Sequence, residues 1–307
     1  MAPEALHQER RTFAEKSSIH CPVCSCAEST LVHTGVRYWP HGCVSSCAGC
    51  GLVFLWPRPR EEELTDYYTS GYREEYDATV SPEESYRRDQ PDARARAHRV
   101  MPLLRRSTNV LEIGSGSGAF LEAIRPHVAS VVGVEPGTTH RAWVTRTLGI
   151  ETVQQLSALG QRSFELISLF HVLEHVLDPV GFLRQIARYL TPGGRLLIEV
   201  PNVHDALLTL YRVPAFPAFY FQRAHLFYFS ADTLTRTLAA SGATAQICGV
   251  QRYDLSNHLR WLLTGQPGGQ GYYGTVFSND TNSAYAASLI AAGLSDTLWA
   301  VASFVRT

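Results

Sequence analysis

The chain has 307 residues, 27 basic and 28 acidic side chains, a formal net charge of −1 and 45% hydrophobic residues. That length accommodates one large α/β domain plus a small appendage, and near-neutrality disfavours a nucleic-acid partner, which selects for a basic face. The first twenty residues are mixed and charged, and no stretch approaches the roughly 18 apolar residues of a membrane span, so a cytoplasmic protein away from membranes is expected.

Six of the seven cysteines, Cys21, Cys24, Cys26, Cys43, Cys47 and Cys50, fall near the amino terminus. Cys21/Cys24 and Cys47/Cys50 are two C-x-x-C turns, and Gly51 allows the tight backbone that such turns need. Paired turns of this kind bring four thiolates round one tetrahedral ion, the pattern of a structural zinc ribbon. Cys21, Cys24, Cys47 and Cys50 are therefore the expected ligands of a structural Zn2+. Cys26 and Cys43 are extras that either substitute for a ligand or pack. Cys248 stands alone and reads as a small buried group.

After Leu52–Trp56, an apolar strand, comes Pro57-Arg-Pro-Arg60 and then a polar segment carrying Tyr67, Tyr68, Tyr72, Tyr76 and Tyr86. These tyrosines either pack a helix onto the core or reach a bound cofactor. The expected division is a zinc-binding lobe at 1–60, a tyrosine-rich linker or lid at 61–94, and a cofactor-binding domain at 95–307 with an insertion at about 253–295.

From Thr108 onward the pattern turns regular. Thr108 to Ile113 reads as a strand, Ala119 to His127 as a helix, Val131 to Val134 and Ile150 to Val153 as further strands. Phe164 to Phe170 is a continuous apolar run, as expected of a central parallel strand buried on both faces. Asp178-Pro179 starts a helix with an acid cap and proline in its first turn, Thr191–Gly194 stops it, and Arg195 to Val200 is the next strand. Gly249 to Tyr253 and Asp296 to Arg306 close the order as strands. Repeated strand–helix–strand order predicts a doubly wound parallel sheet, with ligands outside the carboxyl ends of the strands.

Gly114, Gly116 and Gly118 interrupt the first strand–helix join at alternate positions. Glycines there let the backbone lie against a nucleoside-bearing ligand. Glu135, at the tip of the second strand, suits the two hydroxyls of a ribose. The spacing G-x-G-x-G is neither the dinucleotide fingerprint nor a P-loop, and no Lys or Arg lies between Gly114 and Leu121 to neutralise a pyrophosphate. Glu112 would repel phosphate but suits an ammonium. The loop therefore reads as a site for S-adenosylmethionine, which is cationic and carries no phosphate.

Val110 to Phe120, Val131 to Pro136, Phe164 to Pro179 and Gly193 to Asn202 together resemble the successive motifs of class I S-adenosylmethionine-dependent methyltransferases. The front end resembles the zinc-bearing small-molecule group, which includes sugar C-methyltransferases of antibiotic and surface-glycan pathways. The resemblance implies a Rossmann-like, doubly wound, seven-stranded sheet. It assigns cofactor contacts to Glu112, Gly114, Gly116, Gly118, Glu135, Pro136 and Phe170. It also points to His225, in a His-x-x-Tyr-Phe-Ser segment, as a general base. The Tyr and Glu that precede this histidine in the sugar C-methyltransferase pattern are replaced here by Gln222 and Ala224.

His171, at the end of the fourth strand, is the second catalytic candidate, whereas His175 reads as structural. No Asn/Asp-Pro-Pro-Tyr signature for nitrogen acceptors is present, and an acid cluster for a divalent metal is not evident. The expected activity is methyl transfer to oxygen or carbon of a small biosynthetic intermediate, such as a nucleotide-linked sugar or antibiotic precursor. An RNA methyltransferase gripping nucleic acid through the zinc lobe and a non-catalytic cofactor-binding scaffold are the alternatives. In the insertion, Asn257, His258, Arg260 and Trp261, with Arg252 at its edge, either line an acceptor pocket or belong to a solvated loop.

Overall fold

A computed structural model describes residues 20–59, 62–63 and 81–304. Tyr67, Tyr68, Tyr72 and Tyr76 lie outside the described residues, as does most of the expected linker. In chain order the strands are β1 (Ser29–Val36), β2 (Trp39–Cys47), β3 (Val53–Trp56), β4 (Asn109–Ile113), β5 (Ser130–Val134), β6 (Glu151–Val153), β7 (Phe164–Phe170), β8 (Leu190–Pro201), β9 (Phe227–Tyr228), β10 (Ala243–Val250) and β11 (Thr297–Phe304).

Seven strands form the expected sheet, in the order β10-β11-β8-β7-β4-β5-β6. β4 to β8 run parallel, and β11 is antiparallel to both β8 and β10. The winding reverses between β4 and β7, which opens a crevice beyond their carboxyl ends. Burial on both faces explains the apolar composition: β4 and β5 are buried at every residue but the first. The helix Pro179–Ala187 starts as expected, with the Asp178 carboxylate accepting from Gly181 N at 2.9 Å. β8 starts earlier than expected and takes in Thr191–Gly194, with an irregularity in its pairing to β7. The helix Pro82–Val100 opens on a capping box made by Ser81 and Glu84 and crosses the boundary expected at 94/95.

A second, four-stranded sheet has the order β1-β2-β3-β9. Its first three strands come from the cysteine-rich lobe; its fourth lies more than 170 residues later in the chain. Val53 pairs with Tyr228 and Phe54 with Phe227. Leu55 N donates to Leu226 O at 2.9 Å and Arg37 N to Phe221 O at 2.8 Å. Buried Leu52, Phe54 and Leu55 share one core with Phe227, Phe229, Leu111 and Ile198. The lobe is therefore not a detached bead; each large apolar side chain in this seam contributes about 1.5–3 kcal/mol by leaving water.

Two local expectations are corrected. Cys248 is exposed on the edge strand β10, because its side chain alternates onto the solvent face. The insertion is largely helical, with helices Leu255–Thr264 and Asn279–Ala291. Among the described residues, no helix is long and apolar enough to cross a membrane.

Candidate active site

The glycine loop leaves β4 at the reversal point of the sheet. Gly114, Gly116 and Gly118 all have positive φ, at 74°, 52° and 73°. A Cβ on Gly114 would stand 2.5 Å from Val172 Cγ2, so no side chain fits there. A Cβ on Gly116 would meet nothing within 4 Å, so that glycine borders open space. Gly114 N and Ser115 N donate to Val134 O at 2.8 and 3.0 Å, which ties the loop to the tip of β5.

The Glu135 carboxylate accepts from Gly116 N at 2.9 Å and from Gly137 N at 2.8 Å. These bonds fix the carboxylate at the tip of β5, against the glycine loop. Pro136 is exposed beside it, and its carbonyl accepts from Arg141 at 2.8 Å. Glu112 is 4% exposed, and its Oε2 has no hydrogen-bond partner among the described residues. Burial holds the Glu112 carboxyl well above the usual carboxylate range, with Asp89 and Glu135 adding to the shift against Arg96. Three acids thus surround the loop, and one has an orphaned oxygen. That arrangement fits a cation and disfavours a phosphate.

On the other side of β7 lies an ion network. Arg96 makes a fork to Glu199 at 2.9 and 3.0 Å, and its guanidinium covers the Phe170 ring at 4.7 Å. Phe170 itself is buried against Phe120 and Trp299. His171, with φ of 55°, places Nδ1 3.1 Å from Glu174 Oε1 and Nε2 3.2 Å from Glu199 Oε1. Burial alone would lower the His171 imidazole, but the two carboxylates outweigh it and hold it above the ordinary value. Both ring nitrogens are engaged by buried carboxylates, so the geometry fits His171 as an ion-paired support better than as a base.

His225 is 9% exposed, and burial, with help from His175, pulls its imidazole down to about 3. It is therefore neutral near pH 7. Gln222 Nε2 stands 2.7 Å from its Nε2, and the His175 ring packs edge-on at 4.8 Å. His175 Nδ1 donates to Ala224 O at 2.8 Å. Glu174 carboxylate, His175 and His225 each bring one donor atom within 4.8 Å of the others. The sequence reading found no metal-type cluster in this half of the chain; the fold assembles one from residues fifty positions apart.

At the amino-terminal lobe, the sulfurs of Cys21, Cys24, Cys47 and Cys50 lie within 4.8 Å of one another. Cys21–Cys50 and Cys24–Cys47 are each 3.5 Å apart. A Zn–S bond of about 2.3 Å implies tetrahedral S···S separations of about 3.8 Å, so the set fits zinc closely. Cys26 and Cys43 fall outside this group.

Some contributors had no motif to announce them. Asp89 accepts from Ser117 Oγ at 2.7 Å and so anchors the glycine loop to the helix Pro82–Val100. Arg96, Glu174 and Glu199 sit in ordinary-looking segments, and an isolated acid in an otherwise apolar strand was the sole available signal for Glu199. Tyr86, from the tyrosine-rich stretch, hydrogen-bonds Glu122 and packs on Trp143, so it serves the helix-packing role. In the insertion, His258 is buried against Tyr285, Trp261 packs with Phe216 and Phe219, and Arg260 binds Pro267 O. Asn257 is buried without joining the network. Arg252 does reach it, at 2.5 Å from His171 Nε2.

A family model described as a methyltransferase domain matches residues 85–246, just over half of the chain. A ubiquinone biosynthesis O-methyltransferase of Caulobacter vibrioides is 32% identical over 115 residues, covering 34% of this chain and 46% of that protein. One from Pseudomonas aeruginosa is 31% identical over 103 residues, covering 30% of this chain and 44% of that protein. The chain spans about half the length of the curated relatives it matches. A chain in the Trm112 methyltransferase activator complex from Haloferax volcanii superposes with a TM-score of 0.50 at 15% identity, covering 80% of this chain and 98% of that one. That likeness concerns the fold alone.

Proposed function

This chain belongs to the methyltransferase-domain family of class I S-adenosylmethionine-dependent enzymes, and from that premise we propose that it methylates an oxygen or carbon of a small biosynthetic intermediate. The observation that carries the proposal is the buried, unpartnered oxygen of Glu112 beneath a loop of three positive-φ glycines, with Glu135 alongside. S-adenosylmethionine, when bound, supplies an electrophilic methyl group on a positively charged sulfur.

The chain's own residues do the rest. Gly114, Gly116 and Gly118 allow close approach, Glu112 takes the amino end, and Glu135, held beside the loop by Gly116 N and Gly137 N, takes the ribose. Pro136 is exposed beside Glu135, whereas Phe170 acts from beneath, packed between Phe120, Trp299 and the Arg96 guanidinium. The Arg96–Glu199–His171–Glu174 network makes a rigid, water-poor floor beside it, and aligning donor with acceptor is the main service a protein can offer such a displacement. His225, neutral and with a ring nitrogen already accepting a hydrogen bond, is the histidine that would serve the acceptor. Gln222 and Ala224, which depart from the C-methylating pattern, together with relatives named O-methyltransferases, favour an oxygen acceptor. On this reading Cys21, Cys24, Cys47 and Cys50 hold a structural zinc with no position left for water. The balanced net charge supports a small-molecule acceptor rather than RNA.

Calorimetric titration with S-adenosylmethionine tests the core of this. Glu135→Ala is expected to weaken binding by about 1–3 kcal/mol. Gly116→Ala should weaken it at least tenfold and also lower thermal stability, since a side chain at φ of 52° is strained even though the space beside it is open. Wild-type affinity in both variants would refute the assignment of this loop.

A further inference from the structure

We propose that Glu174, His175 and His225 form a second metal site, one that binds a first-row divalent cation at the acceptor end of the crevice. Their donor atoms lie within 4.8 Å of one another. Donors about 2.1 Å from a dication stand roughly 3–4 Å apart, so small side-chain rotations close the set. A second observation points independently to a ligand here. Glu174 is 0% exposed, and its Oε2 has no hydrogen-bond partner among the described residues, while Oε1 accepts from His171. A buried carboxylate oxygen without a donor is costly unless a cation meets it.

The imidazoles are set up for ligation. His175 commits its Nδ1–H to Ala224 O at 2.8 Å, which fixes the tautomer with the lone pair on Nε2. This is the backbone-anchored arrangement that orients histidine ligands. The His225 Nε2 accepts from the Gln222 amide at 2.7 Å, so its lone pair already faces outward from the ring toward a movable side chain. The backbone holds the three residues in place: Leu226 N donates to Glu174 O at 2.8 Å, joining the turn after β7 to the segment that carries His225.

Two imidazoles and one carboxylate suit manganese, iron, cobalt or zinc; magnesium and calcium prefer all-oxygen shells. Three protein ligands leave coordination positions open. Resting on the methyl-transfer reading, those positions take an oxygen of the acceptor, so the acceptor class is a hydroxyl-bearing small molecule. The site is distinct from the cysteine cluster in residues, chemistry and openness.

The test uses full-length protein carrying one equivalent of zinc, enough for the cysteine cluster alone, titrated with Mn2+, with free Mn2+ followed by electron paramagnetic resonance. One equivalent should bind to the wild type, and Glu174→Gln and His225→Gln should each weaken binding at least tenfold. S-adenosylmethionine titrations of the His225→Gln sample should be unchanged, and circular dichroism shows that both variants are folded. Should Glu174→Gln fail to fold, His225→Gln decides alone. Absence of a bound Mn2+ equivalent in the wild type, or variants that bind it as the wild type does, overturns the site. Manganese binding without any binding of S-adenosylmethionine would instead sink the functional reading and leave the metal site standing.

Discussion

Replacing Cys47 with serine is expected to cost more than about 4 kcal/mol of stability and to reduce methyl transfer at least tenfold. Loss of a metal site is among the few mechanisms with effects of that size. Here the effect reaches beyond the lobe. β3 carries the pairing to Phe227 and Tyr228, and Leu226 links Leu55 to Glu174 through consecutive backbone hydrogen bonds of 2.9 and 2.8 Å. Slackening the cysteine turns therefore loosens the segment that carries His225. Turnover should fall further than affinity for S-adenosylmethionine, because the glycine loop hangs on β4 and β5. Denaturant unfolding alongside metal content and turnover checks this. A zinc-free protein with wild-type stability and activity would show that the cluster staples nothing.

Arg96→Ala should destabilise the protein by about 3 kcal/mol at neutral pH, the low end for breaking a buried ion pair. Glu199 is 2% exposed and would keep His171 at 3.2 Å and Arg252 at 3.4 Å, which limits the loss. The pH dependence has a definite sign. Burial would raise the Glu199 carboxyl, but the bonds from His171 and Arg96 overcome that and hold it far below its ordinary value of 4.5. A depressed acid contributes stability that is full above the unfolded value and is lost as pH falls below it. The gap between wild type and variant should therefore be widest near neutrality. It should narrow by at most about 1.4 kcal/mol for each pH unit below 4.5. Urea midpoints at several acidic pH values measure it; a gap that stays constant down to pH 3 would mean that Arg96 acts by packing on Phe170 instead.

Much of the glycine loop and of the cysteine cluster was legible in the sequence. The glycine spacing, Glu112, Glu135 and the two C-x-x-C turns are local patterns, because each depends on residues within a few positions obeying backbone sterics or ligand geometry. The doubly wound parallel sheet followed from the alternation of apolar runs and capped helices. Less legible was anything made by residues far apart in the chain. Asp89 meets Ser117, Arg96 meets Glu199, and Arg252 meets His171, and none of these pairings leaves a trace in spacing. No motif announces Glu174, and His175 reads from the sequence as a structural histidine.

By itself, the sequence determined that this protein builds a glycine-lined, acid-flanked crevice on a parallel sheet and a four-cysteine knot ahead of it. The tertiary structure alone decided that Phe227 and Tyr228 complete the lobe's sheet, that His225 comes to rest against Glu174 and His175, and that Cys248 faces solvent. The physical reason is the range of the forces. Turn strain, strand periodicity and chelate spacing act within a few residues. Packing of a shared core and pairing of buried charges act across whatever stretches of chain the fold brings together.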